Sequence, residues 1–293
     1  MTTPPFGRLL TAMTTPFTPD GELDLEAAAT LAAYLVDEQR NDALVINGTT
    51  GESPTTTDDE KRRLLEVVIA TVGDRAQVVA GVGTNDTYHS VARAREAARI
   101  GAHGLLAVTP YYSRPPQDAI IEHFRAITSA SDLPLMLYDI PHRAGVALET
   151  ETLLTLADDP RVVAVKDAKG QTAASAVVMA QTELAYYAGD DALLLPLLAV
   201  GGVGVVGTST HFTGARTADC IDAYLAGDLE QALRIYRGLL PVYTGVFATQ
   251  GVMLVKAGLN ARGRRVGPVR RPLLNATAAE TARFVALLDA AGL

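Results

Sequence analysis

Tryptophan is absent from this 293-residue chain, and cysteine occurs once, as Cys220. A single thiol excludes an internal disulfide and fits a reducing compartment; within the helix-like run 218–225 it reads as a buried core group. Lysine is scarce too. Only Lys61, Lys166, Lys169 and Lys256 are present, and arginine supplies the rest of the positive charge. There is no cationic excess: the formal net charge is −8, which argues against a nucleic-acid partner, whose phosphates call for a basic face. The one local basic run, 262–271, is interrupted by Pro and Gly and reads as a solvated surface turn. No apolar run is long enough to span a bilayer, since the most apolar stretch, 193–207, is broken by Pro196 and several glycines. The start, 1–10, lacks the layout of a signal peptide. The expectation is a cytoplasmic protein with no membrane partner. Five histidines (His89, His103, His123, His142 and His211) form no metal-ligand spacing, so no metal is expected.

What is present describes an ordinary globular protein, 48% hydrophobic and 20% charged, long enough to bury one large core. Apolar runs alternate with amphipathic stretches. Strands are predicted over 9–13, 43–47, 77–81, 104–108, 134–138, 162–166, 185–189 and 204–208. Helices are predicted over 24–39, 58–72, 87–100, 117–130, 149–157, 172–182, 192–200 and 214–226, with Asp24 and Thr57 or Asp58 as N-caps. Eight strand–helix units about thirty residues apart point to an α/β fold, a closed (β/α)8 TIM barrel. A doubly wound open sheet is the competitor, but no Gly-x-Gly-x-x-Gly turn follows the first strand, and Gly81-Val82-Gly83 lacks the third glycine. Three further helices, over 229–240, 245–259 and 278–291, have no strands between them. The expected organisation is a catalytic barrel at 1–227 and a C-terminal helical appendage at 228–293.

In such barrels reactive groups stand at the C-terminal strand ends. The sixth strand, Val162-Val163-Ala164-Val165, runs straight into Lys166. A lysine leaving a buried strand can lose its proton near neutral pH and act as a nucleophile, because burial disfavours the ammonium form; a solvated strand-end amine or an ion-pair partner is the plainer alternative. Other strand ends supply Thr49 and Thr50 in a glycine-flanked turn suited to a carboxylate, Tyr111 and Tyr112, then Tyr138 and Arg143, and a glycine-rich turn at 204–209. Tyrosines beside an amine can move protons, or simply pack. Arg143 offers a planar fork to a carboxylate, or a surface ion pair. The 204–209 turn suits a phosphate or another close backbone approach equally well. Asp190 and Asp191, just before a helix, read as its N-cap and dipole partners rather than a metal pair.

Four linked motifs carry a resemblance: Gly48-Thr49-Thr50-Gly51-Glu52, Thr109-Pro110-Tyr111-Tyr112-Ser113-Arg114-Pro115, Leu137-Tyr138-Asp139-Ile140-Pro141-His142-Arg143 and Val165-Lys166-Asp167-Ala168. In order and spacing they resemble the dihydrodipicolinate synthase family of pyruvate-dependent class I aldolases and lyases, from about Phe6 onward. The resemblance implies that Lys166 forms a Schiff base with pyruvate, that Thr49 and Thr50 hold its carboxylate, and that Tyr138, Thr49 and Tyr112 form a proton relay. Arg143 would grip L-aspartate 4-semialdehyde, and Gly189 and the backbone at Val206 would complete the pocket. The implied product is 4-hydroxy-tetrahydrodipicolinate, on the route to diaminopimelate and lysine. No metal or organic cofactor is implied. The implied assembly is a homotetramer, a dimer of dimers in which Tyr112 reaches a neighbouring subunit. The same-superfamily alternative is a retro-aldol lyase for a sialic or 2-keto-3-deoxy sugar acid, against which Arg143 speaks; a non-catalytic keto-acid sensor and a phosphate-substrate barrel complete the alternatives. Ala144 stands where the family often has Thr or Ser, and Gly207-Thr208-Ser209-Thr210 departs from the usual ending of the eighth strand. Positions matching the family's lysine-feedback site are Ser53, Asp58, Lys61, Asn85, His89 and Tyr111. A cation at position 61 would repel an incoming ammonium, so weak or absent lysine inhibition is expected.

Overall fold

A computed structural model describes residues 4–293; residues 1–3, the first of the expected barrel unit, lie outside the described residues. Eight parallel strands close a barrel: β1 (Leu9–Ala12), β2 (Ala43–Ile46), β3 (Gln77–Gly81), β4 (Gly104–Val108), β5 (Leu135–Asp139), β6 (Val162–Asp167), β7 (Ala185–Ala188) and β8 (Gly204–Gly207). β8 returns to β1 with Leu10 opposite Val206. The outer ring is α1 (Leu25–Asp37), α2 (Asp58–Val72), α3 (Thr87–Ile100), α4 (Gln117–Thr128), the single turn α5 (Pro141–Ala144), α6 (Thr150–Ala157), α7 (Thr172–Met179), α8 (Leu194–Ala199) and α9 (Thr210–Leu225). The appendage is α10 (Leu229–Gly245), α11 (Gly251–Ala261) and α12 (Ala278–Ala290). Among the described residues no helix is long and apolar enough to cross a membrane.

Strand residues alternate between two cores. Side chains facing the helices, such as Leu44, Val78, Leu105, Leu137 and Val165, join one large cluster. Those facing the barrel axis, such as Leu10, Val45, Val79, Leu106 and Met136, join a second. This interior is a packed core rather than a pore. Phe6 belongs to it, and a Cβ at Gly104 would meet its ring at 2.4 Å. Tyr187 secures the same N-terminal segment, donating to the Gly7 carbonyl at 2.8 Å and accepting from the Phe6 N–H at 3.2 Å.

Local signals account for the helix starts. Asp24 accepts from the Ala27 N–H, and Thr57 forms a reciprocal capping box with Glu60. Three expectations need correction. First, α9 begins at Thr210 rather than 214; Gly214 is not a starting signal but a contact position, since a Cβ there would lie 2.5 Å from the Gln39 carbonyl. Second, α10 runs through the exposed Pro241 to Gly245, and α11 starts only at Gly251, capped by Gln250. Third, the run 262–271 is a solvated turn only in part: Arg262, Arg265 and Arg271 are exposed, but Val266 is buried and several of the arginines are tied to the rest of the chain. Arg262 pairs with Asp289 at 2.6 Å, and Arg264 pairs with Glu38 at 2.9 Å. Arg270 pairs with Glu60, donates to the Gly21 carbonyl and lies 4.0 Å from the centre of the Phe17 ring. Those partners are about thirty to two hundred and fifty residues away in sequence, so the run itself carries no sign of them. Cys220 is buried, its thiol raised to about 11 by that burial.

Candidate active site

Lys166 points into the barrel because of an irregularity. β5 and β6 pair Leu135 with Val162 but Met136 with Ala164, so Val163 is an extra residue. A one-residue shift moves every later side chain to the opposite face. Val162 faces the helices, as strict alternation would have Ala164 and Lys166 do; after the bulge Ala164 faces the barrel axis and Lys166 pairs with the inward Tyr138. The Lys166 amine lies 4.2 Å from the centre of the Tyr138 ring. Burial pulls it down to about 8, with Asp191 opposing that shift and Arg143 adding to it. Tyr138 is pushed up to about 12 by burial, against the Arg143 charge and a hydrogen bond with Thr49.

A cavity of about 400 Å³ opens over the amine, lined by Thr49, Thr50, Tyr138, Arg143, Lys166, Gly189 and Thr208 from the barrel. Tyr243, Thr244, Phe247 and Gln250 line it from the appendage. The Thr50 hydroxyl is 3.4 Å from that of Thr208, which brings the second and eighth strand ends together. Gly189 admits close approach of two backbones: a Cβ there would meet the Ala168 N and Cβ at about 3 Å, and its N–H donates to the Asp167 carbonyl at 2.7 Å. Arg143 rides on α5, a single turn that starts at Pro141. Val206 is buried in the barrel interior and offers the cavity no side chain. Tyr112 stands apart, 90% exposed and with a left-handed backbone, φ +76°, its N–H bonded to the Ala144 carbonyl at 3.2 Å. It borders a neighbouring cavity of about 490 Å³ whose shared wall is Thr49, Tyr138, Ile140 and Arg143.

Lys169 is committed elsewhere, paired with Asp139 at 3.1 Å and donating to the Leu148 carbonyl at 3.0 Å. The expectation for the aspartate pair holds for Asp190, which accepts from the Ala192 N–H, but not for Asp191. Asp191 is buried and accepts from the Thr208 N–H at 3.0 Å, the Ser209 N–H at 3.0 Å and the Ser209 hydroxyl at 2.6 Å. It ties the loop after β7 to the turn after β8. A Cβ at Gly207 would come within 2.7 Å of its carboxylate. Sequence reasoning missed this because the donors lie 17 and 18 residues on; the glycine of the 204–209 turn was the only trace of it.

The fold and the mouth geometry define a (β/α)8-barrel enzyme that keeps its reactive groups at the strand C-termini. The model of the Dihydrodipicolinate synthetase family matches residues 5–291, and the chain belongs to that family. It is 61% identical to the 4-hydroxy-tetrahydrodipicolinate synthase of Acidothermus cellulolyticus over 288 residues, 98% of this chain and 93% of that one. It is 58% identical to the enzyme of the same name from Cutibacterium acnes, over 99% of each chain. The crystal structure of DHDPS from Cyanidioschyzon merolae with lysine bound superimposes with a TM-score of 0.97 at 40% identity, covering 99% of this chain and 100% of that one.

Proposed function

We propose that the chain condenses pyruvate with L-aspartate 4-semialdehyde to give 4-hydroxy-tetrahydrodipicolinate, as a lyase of lysine and diaminopimelate biosynthesis in the cytoplasm. The observation that carries this reading is the buried Lys166 amine, held at about 8 on the face of Tyr138. A useful fraction of such an amine is neutral at physiological pH, and a neutral amine is a nucleophile. It attacks the ketone carbon of pyruvate and, with loss of water, forms an imine. Thr49 and Thr50 hold the carboxylate. Loss of a methyl proton leaves an enamine, whose carbon bonds to the aldehyde carbon while the aldehyde oxygen takes up a proton. The amine of the second substrate then displaces Lys166 and closes the ring. The lysine imine is the electron sink, so no metal or organic cofactor is called on.

Tyr138 and Thr49, hydrogen-bonded to each other, serve as proton carriers with Tyr112. Its exposure suits a relay completed across an interface, in which a second copy of the chain presents its Tyr112 to this site, within a homotetramer built as a dimer of dimers. Arg143 receives the carboxylate of the aldehyde substrate, with Gly189 and the Val206 backbone closing the pocket. Lys61 is buried, and its ammonium donates to the Thr56 carbonyl beside Asp58, which supports weak feedback by lysine. Sodium borohydride added with pyruvate should modify Lys166 and abolish activity, while the Lys166→Ala variant takes up nothing. An unmodified Lys166 after that treatment overturns the reading. Turnover of a keto-deoxy sugar acid in preference to aspartate semialdehyde would overturn the choice of substrate alone.

A further inference from the structure

Glu52 ends the turn that carries Thr49 and Thr50, and the chemistry above makes no use of it. Its backbone is left-handed, φ +56°, as is that of Asn47 at the other end of the turn, φ +64°. Residues other than glycine keep that conformation only where their surroundings over-determine it. Both ends are pinned through their side chains. Asn47 donates from Nδ2 to the Lys61 carbonyl at 3.1 Å. Glu52 reaches out of the barrel into the appendage: Oε1 lies 2.6 Å from Nζ of Lys256 on α11, and Oε2 accepts from the Arg270 N–H at 2.7 Å. Both side chains of the ion pair are 2% exposed. Lys256 is held in turn by the Pro268 carbonyl at 2.7 Å and by the Phe17 ring, 4.1 Å from its centre. A pair withdrawn from water in this way leaves an uncompensated charge when either member is removed. The turn transmits the constraint, because the Glu52 N–H donates to the Thr49 carbonyl at 3.1 Å.

We propose that Lys256 is a positioning residue for the pyruvate carboxylate cradle: by holding Glu52 it fixes the turn that presents the Thr49 and Thr50 hydroxyls to the substrate. The proposal rests on the assignment of Lys166, Thr49 and Thr50 made above. It gives the appendage a part in the reaction beyond lining the mouth, since α11 would set the geometry of a barrel loop.

The test uses the full chain with Lys256→Met, which keeps the length of the side chain and removes its charge. The KM for pyruvate should rise about tenfold while that for the aldehyde stays within about twofold, the split expected when a contact to one substrate is misplaced. Borohydride with saturating pyruvate should still modify Lys166. Adding Glu52→Gln, which removes the stranded charge, should bring the pyruvate KM back to within about threefold of the unaltered enzyme. A residue needed only for folding would lower the yield of active enzyme and leave both KM values alone. An unchanged pyruvate KM in folded Lys256→Met overturns the proposal, and so does a double variant no better than the single one. If Lys256→Met does not fold, Glu52→Gln alone decides: its pyruvate KM should rise about threefold, and an unchanged value rejects the idea. Absence of a Lys166 adduct in the unaltered enzyme would instead bring down the functional reading, and this proposal with it.

Discussion

At the scale of the residue, the chemistry proposed for this chain turns on the burial of one amine. Lys166 would hold its proton far above physiological pH in water; packed on Tyr138 inside the barrel mouth it is held at about 8. Only the neutral form attacks a ketone. Imine formation at low pyruvate should therefore rise about tenfold per pH unit below 8 and level off above it, read by borohydride trapping across a pH series. A flat profile between pH 6 and 8 would contradict the assignment of the nucleophile. Asp191 opposes the shift in Lys166, so Asp191→Asn, which removes that negative charge, should move the rising limb to lower pH. Asp191→Ala has a second effect. It leaves two backbone N–H groups and the Ser209 hydroxyl without their buried acceptor, at a cost on the order of 3 kcal/mol, measurable by urea unfolding.

The elements follow their local signals wherever those signals are short-range. α2 has the limits that its cap and apolar spacing predict, 58–72, and α3, β3 and β4 have those that their apolar spacing predicts. Prediction failed where a residue answers to a distant partner. Gly214, where a helix is expected to start, is a contact with Gln39; the helix expected to end at 240 runs on past Pro241, which sits on its exposed side. Gly204 illustrates the same rule at the seam of the barrel, where a Cβ would lie 1.9 Å from the Arg8 carbonyl oxygen. Neither backbone can yield without loosening the pairing of β8 with β1. Gly204→Ala should cost about 2–3 kcal/mol and lower the calorimetric midpoint by several degrees. A variant melting within a degree of the parent would show that the seam gives way more easily than this geometry allows.

At the scale of the whole molecule, the turn after β8 is joined to the loop after β1 by His211. Its Nδ1 pairs with the Thr208 carbonyl at 2.8 Å, and its Nε2 accepts from the Thr14 N–H at 3.1 Å. That arrangement suits the neutral ring alone, since a proton on Nε2 would face an N–H, and burial holds the imidazole down at about 4. The unfolded chain takes up this proton first as pH falls. Stability is therefore complete above about 6.5 and is lost between 6.5 and 4, by roughly 3 kcal/mol for His211. His123, also held at about 4 by burial, adds to the loss over the same range. Glu60 and Asp159, held at about 2 chiefly by hydrogen bonds from Arg270 and Arg161, add theirs only below about 4.5. Urea midpoints should accordingly fall between pH 7 and pH 5, before Glu60 and Asp159 titrate. Equal midpoints at those two values would rule out the neutral-ring arrangement.

Sequence alone determined the order of strands and helices and the closed-barrel class, and it singled out Thr49, Thr50, Tyr138, Arg143 and Lys166 as the candidates that line one cavity, because each signal depends on neighbours in the chain: apolar spacing, a cap, a glycine-flanked turn, the last residue of a strand. Tertiary structure decided the rest. The run Val162-Val163-Ala164-Val165 is apolar throughout and has no alternation from which a facing could be read. Whether Lys166 turns toward the axis or toward the helices was settled by the extra residue at Val163, and that exists only in the pairing with β5. Asp191, Lys256 and Arg270 likewise took their places from partners far along the chain. A buried charge is fixed by whatever surrounds it in space, and the order of residues around it in the chain does not record that.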